Sequence, residues 1–149
     1  MPEPLSVRQS LIVRTSPERA FSVFTERIGD WWRLADMHIG EQPPITAIVE
    51  PRVGGRWFER AADGTECPWG HVRVWEPPHR LVLSWEISAD WRPDPTATSE
   101  VEVRFAAEDG ATRIDFEHRG IESLTLRDQL AGGWPGLLQA FAKTTTDEE

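Results

Sequence analysis

The sequence predicts an α+β domain: a curved antiparallel sheet of about six or seven strands wrapped around a long C-terminal helix, with one or two short helices after the first strand. Three observations carry that prediction. Asp63-Gly64 and Asp109-Gly110 are hairpin signals, because both residue types tolerate positive φ. Residues 99–106 and 111–119 alternate in polarity: Val101, Val103 and Phe105 oppose Glu100, Glu102 and Arg104, and Ile114, Phe116 and His118 oppose Arg113, Asp115, Glu117 and Arg119. That is the pattern of strands with one apolar and one wet face. Leu130, Trp134, Leu137, Leu138 and Phe141 fall on one helical stripe, the natural cover for the apolar face.

The remaining elements follow in chain order. Residues 5–13 alternate loosely and read as a first strand. Ser16 caps and Pro17 opens a helix carrying Ala20, Phe21, Val23, Phe24 and Ile28 at helical spacing. Gly29-Asp30 is expected to break it before Trp31-Trp32. Residues 38–44 read as a loop, 45–50 as a short strand, and 51–55 as a turn into a strand over 56–60. A further strand runs to about Trp75, where Pro77-Pro78 interrupts. Residues 80–87 form the next strand, and 89–97, with Trp91, Pro93 and Pro95, form a loop. Thr125 to Asp128 supplies capping groups for the last helix. Gly132-Gly133-Trp134-Pro135 is expected to kink or restart it, since Pro135 lacks the helical donor. The tail from Thr144 is expected to fray.

The totals bound the class. A chain of 149 residues suits a single domain spanning 1–149, with its core over about 7–142. The formal charge is 16 − 25 = −9, which disfavours nucleic acid and anionic lipid as partners. No apolar run approaches the ~20 residues of a membrane span. Residues 1–10 lack a secretory pattern, and the lone Cys67 fits a reducing compartment, so the expected location is cytoplasmic. Eight tryptophans and no tyrosine exceed ordinary core filling and suggest a cavity or an interface.

Several motifs resemble one family. Pro51-Arg52-Val53-Gly54-Gly55-Arg56-Trp57 resembles its turn into the third strand. Gly70-His71-Val72, with Glu76-Pro77-Pro78-His79-Arg80-Leu81 and Trp85, resembles its central hairpin. Glu117-His118-Arg119-Gly120 is similar to the end of its last strand, and Gly133-Trp134-Pro135-Gly136-Leu137-Leu138 to its C-terminal helix. The resemblance covers about residues 7–142 and is to the SRPBCC (START-like) superfamily, in the group named for the heat-shock ATPase activator. It implies a helix-grip fold with a deep pocket for an apolar ligand, and no shared catalytic set. The activator's separate chaperone-binding domain has no counterpart among these residues.

The residues themselves offer little conventional catalytic machinery. His38, His71, His79 and His118 show no zinc-protease spacing, and Cys67 with His71 makes only two ligands, so neither a metal nor a cofactor is expected. Neither a Gly-x-Ser-x-Gly turn nor a dinucleotide or phosphate-binding glycine motif is present. Glu59 shares a strand face with Trp57, and His118 shares one with Phe116. If those faces line a cavity, burial raises the pKa of the carboxyl and depresses that of the imidazole, the usual preparation for acid–base work.

The expected pocket residues are Trp32, Met37, Trp57, Trp69, Trp85, Val103, Phe116, His118, Trp134 and Leu138, with Glu59 and His118 as the only weak catalytic candidates. Trp91 is expected as a lid, a dimer contact or loop cover, and 37–43 and 89–97 as gate loops. The expected function is binding of a small hydrophobic or aromatic ligand by a monomer or homodimer. Two alternatives stand beside it. One is a cyclase- or aromatase-like enzyme moving protons through Glu59 or His118. The other is a protein-interaction or co-chaperone-like module using exposed tryptophans.

Overall fold

The computed structural model describes residues 5–34 and 37–146. The start of the segment read for a secretory pattern and the last three residues of the tail lie outside them. The strands are β1 (Leu5–Val13), β2 (Pro44–Val49), β3 (Arg56–Ala61), β4 (Glu66–Glu76), β5 (Arg80–Ser84), β6 (Glu100–Glu108) and β7 (Ala111–Ile121). The helices are α1 (Pro17–Glu26), α2 (Ile28–Trp31) and α3 (Leu124–Thr146).

All seven strands form one curled antiparallel sheet in the order β1-β7-β6-β5-β4-β3-β2. From β2 to β7 it is a meander. β1 closes the far edge by pairing with β7, and α1 and α2 occupy the connection between the two edges. Helix α3 packs against β1, β7, α1 and α2 across the concave side. Its stripe is buried from Leu130 through Trp134, Leu137 and Leu138 to Phe141. This is the helix-grip α+β architecture, with seven strands and two short helices after the first.

Local chemistry accounts for most element ends. Ser16 accepts the Arg19 amide at 3.1 Å and caps α1 behind Pro17. Asp109 and Gly110 take φ of 52° and 81°, both in the left-handed region that a tight hairpin needs. That turn sets the β6–β7 register, which pairs Val101 with His118 and Val103 with Phe116.

Five expectations need correction. Gly29-Asp30 does not break the first helix; the chain breaks at Arg27, and both residues lie inside α2. Gly132-Gly133-Trp134-Pro135 does not restart the last helix, which runs unbroken from Leu124 to Thr146 with Pro135 inside. The buried stripe outweighs one missing donor, because packing supplies most helix stability in a folded domain. The α3 cap is Ser123, whose hydroxyl accepts the Leu126 amide at 3.2 Å, rather than the 125–128 segment. Thr144 and Thr145 do not fray: their hydroxyls bond the carbonyls of Ala140 and Ala142, and Thr145 is buried. The strand read over 80–87 is shorter, ending at Ser84, with Ile87 returning as an isolated bridge to Pro93.

The outer face of the sheet is an ionic layer. Glu102 sits among Arg80, Arg104 and Arg119 at 2.5, 3.1 and 2.5 Å. Partial burial raises its pKa, and the bonds from Arg80 and Arg119 overcome that and hold the carboxyl below its ordinary range.

Candidate functional site: an aromatic interior with two polar ends

Six of the eight tryptophans are buried, and five of them, Trp32, Trp57, Trp69, Trp85 and Trp134, form one continuous cluster between sheet and helices. Trp32 touches Trp69 and Trp134 with centroids 4.8 and 5.6 Å away. Trp57 bridges Trp69 and Trp85 at 5.3 and 5.8 Å, and Trp85 reaches Trp134 at 5.9 Å. Phe116 closes on Trp134 at 4.5 Å. Offset and edge contacts of this kind add to the burial of each ring. Val103 and Leu138 are buried in the same core, and the Met37 side chain lies 3.2 Å from where a Cβ on Gly133 would stand. The expected lining residues are thus brought together, packed ring against ring.

Every buried indole N–H is engaged. Trp31 donates to Val23 O, Trp32 to Met37 O, Trp57 to Ser84 O and Trp85 to Ile87 O. The other two donate to the buried polar side chains at the ends of the cluster: Trp69 to Glu59, and Trp134 to His118. The Trp57 bond requires Gly70, because a Cβ there would stand 1.9 Å from Ser84 O.

At the first end, Glu59 is 2% exposed. Its Oε1 accepts the Ile39 amide at 2.5 Å and the Trp69 indole at 2.9 Å, and its Oε2 accepts the Gly40 amide at 3.1 Å. The carboxylate therefore ties the 38–42 loop to the cluster. With Cys67, Ala61 and loop residues it lines a surface cavity of about 460 Å³. Burial raises the Cys67 thiol's pKa, and the Glu59 charge adds to the rise, so this cysteine is a poor nucleophile.

At the second end, His118 is fully buried. The Trp134 indole can only donate, so the His118 Nδ1 that receives it at 3.1 Å carries no proton. Nε2 then bears the hydrogen and donates to Ser99 Oγ at 3.1 Å. Ser99 in turn donates to Trp85 O at 3.3 Å. Burial pushes the His118 pKa down from 6.5 to about 3, so the ring is neutral at physiological pH. Ser99 also lines a second cavity, of about 180 Å³, between the 87–99 segment and the start of α3. Neither the Ser99 link nor the loop amides on Glu59 were anticipated. The signal for Ser99 was present: the Asp109-Gly110 hairpin makes it a diagonal, same-face neighbour of His118.

Trp91 is half-buried, with φ 59° and its ring 6.2 Å from Trp85, so it covers the outer side of the cluster. No group of three or more potential metal-ligating His, Cys, Asp or Glu occurs among the described residues. Among those residues no helix is long and apolar enough to cross a membrane.

Comparison with known proteins fits this architecture. The chain is 37% identical to a solved anthrahydroquino-gamma-pyrone synthase, Txn09, complexed with SUM, over 96% of this chain and 99% of that one, with a TM-score of 0.64. It is 29% identical to CalC, a self-sacrificing resistance protein from Micromonospora echinospora, over 97% and 96% of the two chains, at a TM-score of 0.72. The Aha1 dimer from Colwellia psychrerythraea shares the fold at 13% identity, 95% and 96% coverage and a TM-score of 0.67. No curated protein sequence matches. The family model for activator of Hsp90 ATPase homolog 1-like proteins (AHSA1) matches residues 14–146, and the chain belongs to that family.

Proposed function

We propose that the protein binds a small hydrophobic, fused-ring aromatic molecule between the sheet and α3, in the cytoplasm, as a monomer or homodimer. The observation that carries this reading is the buried five-tryptophan cluster with a polar side chain and a surface cavity at each end. A core needs apolar volume, but it gains nothing from a histidine and a glutamate at its two ends. The likeness to a synthase of an anthrahydroquinone-type product supports a flat aromatic ligand. Covering ~300 Å² of such a ligand contributes about 7 kcal/mol at ~25 cal/mol per Å², offset by its lost freedom. The rings are in contact, so entry requires one end to open. The 37–43 and 89–97 loops border the two cavities and are the proposed gates.

Titration with a panel of fused-ring aromatics, followed by intrinsic tryptophan fluorescence, tests this. Saturable change is expected, weakened about tenfold by Trp134→Phe or Trp57→Phe; a flat response across the panel rejects the reading.

A cyclase-like enzyme is the second reading, favoured by the identity to the synthase and by a carboxylate at a cavity wall. Glu59 is its proton-transfer group. His118 does not serve it well, because one ring nitrogen is sealed by Trp134 and the other already holds a proton. A bell-shaped pH–rate profile lost in Glu59→Gln identifies that case. The interaction-module reading rested on exposed tryptophans, and the six buried ones are unavailable to a protein partner.

A further inference from the structure

We infer that the cavity at Ser99 is a recognition site for a neutral ligand hydroxyl, above all a phenol, and that it rejects carboxylate ligands. The inference deepens the proposed aromatic-ligand reading and rests on it. It follows from the direction of the hydrogen bonds.

The chain from Trp134 through His118 to Ser99 runs one way. The indole donates to Nδ1, Nε2 donates to Ser99 Oγ, and Ser99 donates to Trp85 O. A serine hydroxyl has one hydrogen and two acceptor lone pairs. Its hydrogen and one lone pair are thus engaged inside the protein. What remains on this cavity-lining residue is one lone pair, which accepts and does not donate. The neighbouring groups point the same way. The Thr98 hydroxyl gives its hydrogen to Glu122 Oε1 at 2.9 Å, and the Ser88 hydroxyl gives its own to Asp90. The carboxylates of Asp94 and Glu122 line the cavity, and neither arginine, lysine nor histidine does so among the described residues. Ile87, Ala89, Ile121 and Leu126 supply an apolar wall beside them.

A ligand in this cavity meets chiefly acceptors and hydrocarbon, with no cationic side chain among the described lining residues. A hydroxyl fits, because it brings the missing hydrogen. An ether or bare ring leaves the Ser99 lone pair unused. A carboxylate finds no cation, loses its hydration and faces the like charges of Asp94 and Glu122; the Ser123 hydroxyl, which accepts the Leu126 amide and keeps its own hydrogen, is one neutral donor against them. The buried indoles cannot rescue it, since each N–H already has an acceptor.

The test is an NMR titration of the nitrogen-labelled full chain with naphthalene, naphthol and naphthoate, the last two substituted at the same ring position. Naphthol is expected to bind about fivefold tighter than naphthalene, the value of one added hydrogen bond. Naphthoate is expected to bind at least ~10-fold more weakly than naphthol. Shifts are expected at the Ser99 amide and the Trp134 indole. Ser99→Ala is expected to bring naphthol down to the naphthalene level, and Ser99→Cys, which keeps the volume with a weaker acceptor, is expected to fall between. The three-probe ranking on the unaltered chain decides the matter even if a variant fails to fold. Naphthoate binding as tightly as naphthol overturns the hydroxyl inference while leaving the aromatic pocket standing. Failure of all three probes overturns both.

Discussion

The two ends of the tryptophan cluster bury a titratable side chain to the same degree and satisfy it in opposite ways. Glu59 has three N–H donors, two from the 38–42 loop and one from Trp69. His118 has one indole donor and one hydroxyl acceptor, both on side chains, and gives up its charge. A carboxylate has only acceptor atoms, so backbone amides suit it, and those come cheaply from a loop. A neutral imidazole has one donor and one acceptor, so it fits between a tryptophan and a serine. The first end is therefore fastened by backbone amides of the 38–42 loop, the second by side chains of α3 and of Ser99, at the end of the 87–99 segment. Opening is expected at the first end and recognition at the second.

The largest expected effect separates the ends by removing the loop's anchor. Glu59→Ala orphans three N–H donors and is expected to cost about 5 kcal/mol of stability in urea unfolding. Amide exchange at Ile39 and Gly40 should accelerate before any at β6 or β7. A loss under ~1 kcal/mol would mean that the loop bonds are replaced by water and the latch is unimportant.

Next is the acid response. The folded pKa of His118 lies below its unfolded value, so the unfolded chain takes up a proton that the native state refuses. The stability held by the neutral ring is intact above pH 6.5 and is lost progressively as pH falls towards about 3, by up to about 4 kcal/mol. Glutamine can accept from Trp134 and donate to Ser99 without titrating, so His118→Gln should flatten this part of the stability–pH curve. An unchanged slope would place the acid sensitivity in the carboxylates instead, Glu102 among them.

The smallest effect is the most diagnostic. Trp134→Phe keeps most of the ring and removes one N–H, for about 1–2 kcal/mol. It also frees Nδ1, so the His118 tautomer is no longer dictated. Nitrogen chemical shifts of the imidazole should report a mixture in the variant and a single Nε2–H form in the parent. The same tautomer in both would show that Ser99 alone sets it.

Much of the frame was legible in the residues. Alternation in β6 and β7, the Asp109-Gly110 turn and the α3 stripe are local patterns whose periods report burial directly. The failures were local too, and they share a cause. Gly29, Gly132 and Pro135 are helix breakers by propensity, and tertiary packing of Ile28, Trp31, Trp134 and Leu137 overrode each one. Glu59 and His118 were legible as inward-facing from strand parity. Their partners were not, because Ile39 and Gly40 reach Glu59 from 20 and 19 residues away through a loop without periodicity.

By itself the sequence determined the fold, the inward faces and the concentration of tryptophan, since each depends on which residue types recur at which spacing. The tertiary structure alone decided the direction of every hydrogen bond within that interior. Direction depends on which donor meets which acceptor across β7, the end of the 87–99 segment and α3: Trp134 fixes the proton on His118, His118 fixes the role of Ser99, and only folding brings the three together.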